Sequence, residues 1–196
     1  MEADWTVALA ADDPVITVPW AASGDDLRKC RFVDLRLGQE LIDEIEEARS
    51  KPPLRSALLL LNATSSPLWT AKCDAWTSSV EDGDEPFDPY EMAAESGEIV
   101  FGAGSYVDLL ARDVAFLASF ERQERWIRGV TQMLRSTAVT AARVELVLRR
   151  AETEAASGFA VTWFVEGCGS TAQRAEQSWA RALDLALPTV MDVRLM

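Results

Sequence analysis

The chain of 196 residues contains no histidine. Ser-His-Asp and Cys-His catalysis, zinc sites with histidine ligands and imidazole pH switches are therefore excluded. Cysteine is scarce, because only Cys30, Cys73 and Cys168 occur and no two of them form a Cys-x-x-Cys pair. Such an odd and widely spaced set is typical of free thiols in a reducing compartment. We predict no metal site and no cofactor.

Long apolar runs are also missing from the sequence. The longest, Ala57–Leu61, is far shorter than the roughly 20 residues of a membrane-spanning helix. The first residues, Met1–Trp5, are acidic and lack the basic region and apolar stretch of a signal peptide. We therefore expect a cytoplasmic protein that does not bind membranes.

Acidic residues, in contrast, are abundant. The chain has 32 Asp and Glu against 19 Lys and Arg, a formal net charge of −13, and a hydrophobic fraction of 48% that is typical of globular proteins. Because such a chain repels phosphate backbones, we do not expect it to bind nucleic acid. The excess of negative charge is concentrated in residues 78–104, which contain acidic side chains and no basic one. A basic partner is expected to bind there.

The pattern of apolar and turn residues predicts an α+β fold. Apolar segments between turn residues predict strands at 5–10, 15–20, 30–37, 55–62, 68–76, 143–150, 159–166 and 190–195. Apolar residues at intervals of three or four predict helices at 39–50, in two stretches between 105 and 134, and at 171–187, where Pro188 is expected to end the last helix.

From about residue 68 onward the predicted order is β-α-β-β-α-β. This is the ferredoxin-like order, an antiparallel or mixed sheet with helices packed on one face. We predict a single domain over 1–196. Within it, residues 1–62 form an N-terminal lobe or extend the sheet, residues 78–104 form an acidic loop, and residues 105–196 form a core of helix, hairpin, helix and strand.

Two groups of carboxylates are candidates for binding a partner. The first lies in the acidic loop and consists of Glu81, Asp82, Asp84, Glu85, Asp88 and Glu91. The second lies on the helix predicted at 39–50, where a spacing of i, i+3, i+4 and i+7 places four side chains on one face: Glu40, Asp43, Glu44 and Glu47. Like charges at this spacing repel each other, so either solvent or a basic partner must offset the repulsion.

The sequence has seven tryptophans, an unusually high number for this length. Four lie on stripes that we predict to be buried: Trp69, Trp126, Trp163 and Trp179. The other three, Trp5, Trp20 and Trp76, lie near strand ends beside loops. Exposed aromatic rings beside an acidic surface are typical of a protein-binding patch, although these rings could instead cover the core or a sheet edge.

One short motif resembles a catalytic loop. Cys168 lies between a predicted strand and a predicted helix, and Arg174 follows six residues later. This Cys-x5-Arg spacing resembles the phosphate loop of the protein tyrosine phosphatases, which implies Cys168 as the nucleophile and Arg174 as the group that holds the phosphoryl oxygens. The histidine that precedes the cysteine in that family is Gly167 here. The alternative is an ordinary turn from a hairpin into a helix.

The favoured hypothesis is a non-enzymatic protein that docks a basic protein partner. In composition the chain resembles the immunity proteins, small acidic α+β proteins that neutralise basic toxins, which implies an immunity-type or regulatory function. Two alternatives stay open: a phosphatase-like enzyme that uses Cys168 and Arg174, and a small-ligand or structural protein. An exposed Cys168 of low pKa favours the enzyme, and a buried, inert Cys168 favours the binding protein.

Overall fold

A computed structural model describes residues 1–20, 31–79 and 101–192. Six strands form one mixed sheet: β1 Glu2–Ala8, β2 Ile16–Val18, β3 Leu68–Ser79, β4 Phe101–Ala111, β5 Ala142–Thr153 and β6 Ser157–Gly169. The strand order is β1-β5-β6-β4-β3, and β2 also pairs with β5. The pairs β3–β4, β4–β6 and β5–β6 are antiparallel, whereas β1 and β2 run parallel to β5. The predicted α+β class with a mixed sheet is confirmed.

The helices are α1 Glu46–Ser50, α2 Pro52–Leu61, α3 Val114–Leu117, α4 Phe120–Arg135 and α5 Ala172–Val190, with a 3-10 helix at Gln39–Glu44. Two contacts place α4 and α5 on the same face of the sheet. The Arg128 guanidinium of α4 lies 4.8 Å from the ring centroid of Trp5, and Trp179 of α5 bonds to Ser105. These two helices therefore lie side by side on one face of the mixed sheet.

The core lies between this face and the helices. Alternate residues of β5 and β6 point toward α4 and α5 because successive side chains of a strand point to opposite faces. Most of the predicted inward set is almost fully buried: Val144, Leu146, Leu148, Val161, Trp163 and Val165. Phe159, predicted on the same side of β6, is half-buried and packs against Phe120 of α4. The four tryptophans predicted to be in the core, Trp69, Trp126, Trp163 and Trp179, are all buried as well.

The predicted ferredoxin-like order is wrong. From residue 68 the chain runs β3-β4-α3-α4-β5-β6-α5, because 101–111 is a strand and not a helix that begins at Ser105. This segment is central in the sheet and pairs with β3 on one side and β6 on the other. Its glycines and its alternation of Tyr106 and Asp108 with apolar residues suit a pleated strand better than a helix. The last predicted strand begins inside α5, which continues past Pro188 to Val190, and residues 193–196 lie outside the described range.

The strand predicted at 55–62 is also wrong, since these residues form α2. Pro52 and Pro53 occupy the first helical turn, where the fixed φ of proline favours a helix. Leucine is a strong helix former, and the buried side chains recur at helical spacing: Leu54, Ala57, Leu58 and Leu61. Of the strand predicted at 30–37, the described part, 31–37, is not a strand, and Cys30 lies outside the described residues.

Candidate functional site

The sheet has a second face, opposite α4 and α5, which we call the polar face. Trp5, Leu146, Trp163 and Val107 lie opposite one another on neighbouring strands and face the helices. The next residue along each strand must therefore point to the polar face. Most of these residues are charged, aromatic or polar, and those that form the candidate site lie in three rows that cross the sheet.

The first row places two aromatic rings between carboxylates. In the order of the strands from β1 to β3 it consists of Asp4, Glu145, Phe164, Tyr106 and Asp74, each directly opposite the next. The rings of Tyr106 and Phe164 are tilted at 47°, with centroids 5.8 Å apart, which is a favourable aromatic arrangement. Tyr106, Phe164 and Glu145 are half-buried, whereas Asp4 and Asp74 are exposed.

The second row, beside the first, consists of Glu2, Arg143, Glu166, Gly104 and Trp76. A Cβ atom on Gly104 would lie 2.5 Å from the Trp76 ring, so the glycine leaves room for the indole to cover β4. Both Gly102 and Gly104 lie within β4, and Gly104 admits the indole. We call the first and second rows together the acidic-aromatic patch.

The patch is predominantly negative. Its two rows contain five carboxylates and one basic residue, Arg143. The Arg143 Nη2 atom lies 3.8 Å from Glu145 Oε2. Arg135 of α4 reaches over the edge of β1 to Asp4, 3.3 Å away. Burial raises the pKa of Glu166, and the nearby carboxylate of Glu145 raises it further, while Arg143 lowers it. A cation that approaches this patch would relieve the repulsion between its carboxylates.

The third row consists of Thr6, Val147, Thr162 and Asp108. Arg149, two residues beyond Val147 on the same face of β5, joins this row through a chain of hydrogen bonds. The Arg149 Nε–H donates to the hydroxyl of Thr162 over 3.1 Å, and this hydroxyl donates to Asp108 Oδ1 over 2.7 Å. Asp108 is only 8% exposed. Burial raises its pKa, and the hydrogen bond from Thr162 and the charges of Arg149 and Lys72 oppose that change. A cavity of about 430 Å³ opens above these groups.

A larger cavity of about 760 Å³ lies next to this one, beside Val18, Pro19 and Trp69. Two of its arginines are engaged within the protein. Arg36 forms two side-chain hydrogen bonds with Asp34 and stacks 3.7 Å from the Trp69 ring centroid, and Arg112 donates to backbone carbonyls of residues 62, 63 and 68. Because most of the donor atoms of Arg36 and Arg112 are engaged in this way, the smaller cavity is the better candidate for a ligand.

The prediction of a loop at 78–104 is wrong at both ends of this range. Residues 78 and 79 belong to β3 and residues 101–104 belong to β4, where Ser79 lies opposite Phe101. The predicted binding residues Glu81, Asp82, Asp84, Glu85, Asp88 and Glu91 lie outside the described residues.

The carboxylates of the predicted helix at 39–50 do not share one helical face. Glu40 and Glu44 lie on the 3-10 helix and Glu47 lies on α1, because Ile45 adopts an extended conformation between the two. Glu44 pairs with Arg31, and the neighbouring Asp43 pairs with Arg55 at 2.6 Å. Basic residues of the same chain therefore neutralise part of this group.

Cys168 lies within β6 rather than in a loop, and it is 1% exposed. Burial raises the pKa of its thiol, which disfavours the thiolate that a nucleophile requires. The Arg174 guanidinium donates to Ser170 Oγ over 3.1 Å, at the start of α5. The other described cysteine, Cys73, is also far from reactive, because burial raises the pKa of its thiol to about 12.

The polar groups around Asp108 were not predicted from the sequence. The sequence predicts a helix that includes Tyr106 and Asp108, and a helix does not place these two side chains on the same face as Thr162 and Phe164. A signal did exist in β6, where the inward residues were correctly predicted. The remaining residues of that strand, Thr162, Phe164 and Glu166, are the ones on the polar face.

In the described ranges, no group of three or more Cys, Asp or Glu side chains is arranged to hold a metal ion. None of the helices described is both long and apolar enough to cross a membrane. Comparisons with protein-family models, with curated proteins and with solved structures find no match to this chain.

Proposed function

We propose that the protein is a non-enzymatic binding protein that docks a basic protein partner on the acidic-aromatic patch. The observation that carries this proposal is the first row, in which the Tyr106–Phe164 ring pair lies between the carboxylates of Asp74 and Glu145. Aromatic rings supply most of the binding energy of many interfaces, and carboxylates select arginine and lysine.

The charge of the chain supports the same surface. Residues 80–100 carry eight acidic side chains and no basic one. They connect β3 to β4, and the residues at their two ends, Ser79 and Phe101, lie opposite each other in the sheet. Their charge is therefore attached at the end of the strands that carry Trp76 and Gly104. Charge of one sign at one place accelerates association with an oppositely charged partner. Immunity and regulatory proteins of the kind suggested by the composition work by such docking.

The test is a capture experiment with three forms of the protein as bait, at low and at high salt. The patch variant carries Asp74→Asn, Glu145→Gln and Glu166→Gln. We expect wild type to retain proteins of basic isoelectric point at low salt, and the patch variant to lose them. High salt should weaken the same interactions, because exposed charges are screened over about 8 Å at physiological ionic strength.

A matched control removes the same number of carboxylates from the helical side of the molecule, with Glu121→Gln, Glu124→Gln and Asp184→Asn on α4 and α5. This control should retain the partners of wild type. If all three baits retain the same proteins at both salt concentrations, the patch is not the docking surface and the proposal is wrong.

The phosphatase-like alternative receives no support from the described geometry. A nucleophilic cysteine needs an accessible thiolate, whereas the Cys168 side chain is buried in a strand and its pKa is raised. The small-ligand alternative has a specific observation in its favour, the cavity above Asp108.

A further inference from the structure

The cavity above Asp108 is bounded by two parts of the chain. Its floor is the polar face, with Asp108 and Thr162 at the bottom and the rings of Tyr106 and Phe164 at one side. Its other side is the segment 14–20. This segment pairs with β5 through β2, crosses the face, and is held at β3 by a hydrogen bond of 2.9 Å from the Trp20 indole to the Ala71 carbonyl.

The charged groups of the cavity carry a surplus positive charge, which is unusual in a chain of net charge −13. Lys72 and Arg149 line it, and Asp108 is the one carboxylate among its lining residues. The Lys72 ammonium lies 5.6 Å from the ring centroid of Trp20, at the rim. Two cations against one buried carboxylate favour an anionic ligand.

Arg149 is oriented for such a ligand. Its Nε–H is bonded to Thr162, and Thr162 is in turn bonded to Asp108, so a chain of hydrogen bonds from the floor holds the guanidinium. No partner for its Nη atoms is found among the described residues. A guanidinium presents pairs of N–H groups that match the two oxygens of a carboxylate.

We infer that this cavity is a binding site for a small organic carboxylate, which Arg149 and Lys72 bind at its oxygens while Tyr106, Phe164 and Ile16 contact its carbon skeleton. The cavity volume of about 430 Å³ is within the range of small-molecule sites, and its mixture of aromatic walls and a few convergent polar groups is typical of them. In this arrangement Thr162 and Asp108 are positioning residues, which act through Arg149.

The test uses the indole N–H resonance of Trp20 in a ¹⁵N-labelled sample, assigned by its loss in Trp20→Phe. Acetate, succinate and benzoate are added up to about 10 mM, since ligands of this size commonly bind in the millimolar range. We expect benzoate to shift the Trp20 resonance in a saturable manner and to leave that of Trp179, on the helical side of the sheet, in place. Benzylamine and benzyl alcohol, which keep the ring but lack the carboxylate, should not shift it.

Arg149→Gln should weaken benzoate binding about tenfold, which corresponds to the loss of one charge-assisted interaction. Lys72→Gln, a change at an exposed residue that leaves the sheet intact, should weaken it by a smaller factor. Arg181→Gln, an exposed arginine of α5, is the matched control and should have no effect.

Several results would overturn the inference. The first is that none of the three carboxylates shifts the Trp20 resonance. The second is that benzylamine shifts it, or that inorganic phosphate shifts it and the carboxylates do not. The third is that Lys72→Gln, Arg181→Gln and wild type bind benzoate with equal affinity. None of these measurements depends on a protein partner. The site can therefore fail while the docking proposal stands, and the reverse also holds.

Discussion

The indole N–H of Trp179 on α5 donates a hydrogen bond to the Ser105 hydroxyl oxygen on β4 over 2.9 Å, and both side chains are buried. This bond joins the longest helix to a central strand. It also explains a serine in the middle of a strand, at a position that faces the core. Without the hydroxyl, a buried N–H group would have no partner, which is costly in an apolar interior.

Ser105→Ala should therefore lower the free energy of unfolding by about 1–3 kcal/mol, the usual cost of an unsatisfied buried polar group. In a Trp179→Phe background the same change should cost less, because no N–H group is left without a partner. Denaturant unfolding of the two single variants and the double variant measures the difference. Equal costs of Ser105→Ala in both backgrounds would show that the hydrogen bond does not contribute to stability.

Gly167 on β6 provides a second test of how α5 is docked. A Cβ atom at this position would lie 2.1 Å from the Trp179 backbone nitrogen and 2.8 Å from the Ala175 carbonyl oxygen. Because these are backbone atoms, the helix itself must move. We expect Gly167→Ala to destabilise the protein by at least the roughly 1–3 kcal/mol typical of overpacking. Gly129→Ala, within α4, is the matched control and should be neutral or stabilising, since alanine favours a helix interior. A stability of Gly167→Ala equal to that of wild type would contradict the close contact.

The carboxyl group of Asp108 should reduce stability at neutral pH. Burial raises its pKa in the folded protein above the ordinary value of 3.8, so folding disfavours the ionised form. Below pH 3.8 the carboxyl group is protonated in the folded and the unfolded state, so it does not reduce stability. The loss of stability grows as the pH rises and is complete once the pH exceeds the pKa of the folded protein. The ionisable groups that face it are Arg149 from β5, Lys72 from β3 and Tyr106 from β4, and the two cations offset only part of the cost.

Asp108→Asn keeps an acceptor for the Thr162 hydroxyl and removes the charge. We expect its melting temperature to exceed that of wild type at neutral pH, and the difference to shrink as the pH falls toward 3.8. Thermal denaturation over this pH range checks the expectation, with Asp74→Asn as a control that removes an exposed charge from the same face. A variant less stable than wild type at neutral pH would mean that the Lys72 and Arg149 charges outweigh the burial of Asp108.

The hairpin of β5 and β6 was predictable because one side of each strand is apolar and the other is polar. In β6 the apolar residues Val161, Trp163 and Val165 recur at every second position, which identifies both the strand and its inward side. The segment that became α2 lacks such a signal. Four consecutive leucines fit a buried strand and a buried helix equally well, and only Pro52 and Pro53 favour the helix.

The candidate site depends on information that no single segment contains. Asp108, Thr162 and Arg149 are on three different strands, and only the register of β4, β6 and β5 brings them together. The cavity further requires the segment 14–20 to cross the polar face, which depends on the parallel pairing of β2 with β5. Parallel pairing joins residues far apart in sequence and leaves no short turn signal. The binding residues predicted from the sequence lie in the acidic loop and on the segment 39–50, so neither the rows of the polar face nor the cavity was predicted.

The thiol of Cys168 should react slowly. Its burial raises the pKa, so at neutral pH the group is a protonated and shielded thiol. We expect alkylation of Cys168 by iodoacetamide in the native protein to be much slower than after denaturation, as followed by peptide mass mapping. Inorganic phosphate should not alter the rate. Rapid native alkylation that phosphate blocks would instead favour the phosphatase-like alternative.

Neutralising the acidic segment should affect association with a basic partner more than stability. Asp82→Asn, Asp84→Asn, Glu85→Gln and Asp88→Asn together remove half of the eight negative charges between Ser79 and Phe101. Because long-range attraction acts mainly on the encounter of two proteins, we expect association with the captured partner to slow several-fold at low salt. The melting temperature should stay unchanged or rise, since fewer like charges repel each other.

Stopped-flow association at increasing salt concentration checks this prediction. The rates of wild type and of the neutralised variant should converge at high salt, where screening removes the attraction in both proteins. The control with Glu121→Gln, Glu124→Gln and Asp184→Asn should associate almost as fast as wild type, because its changes lie on the helical side. If the neutralised variant associates at the wild-type rate at low salt, residues 80–100 do not guide the partner, and docking must depend on the acidic-aromatic patch alone.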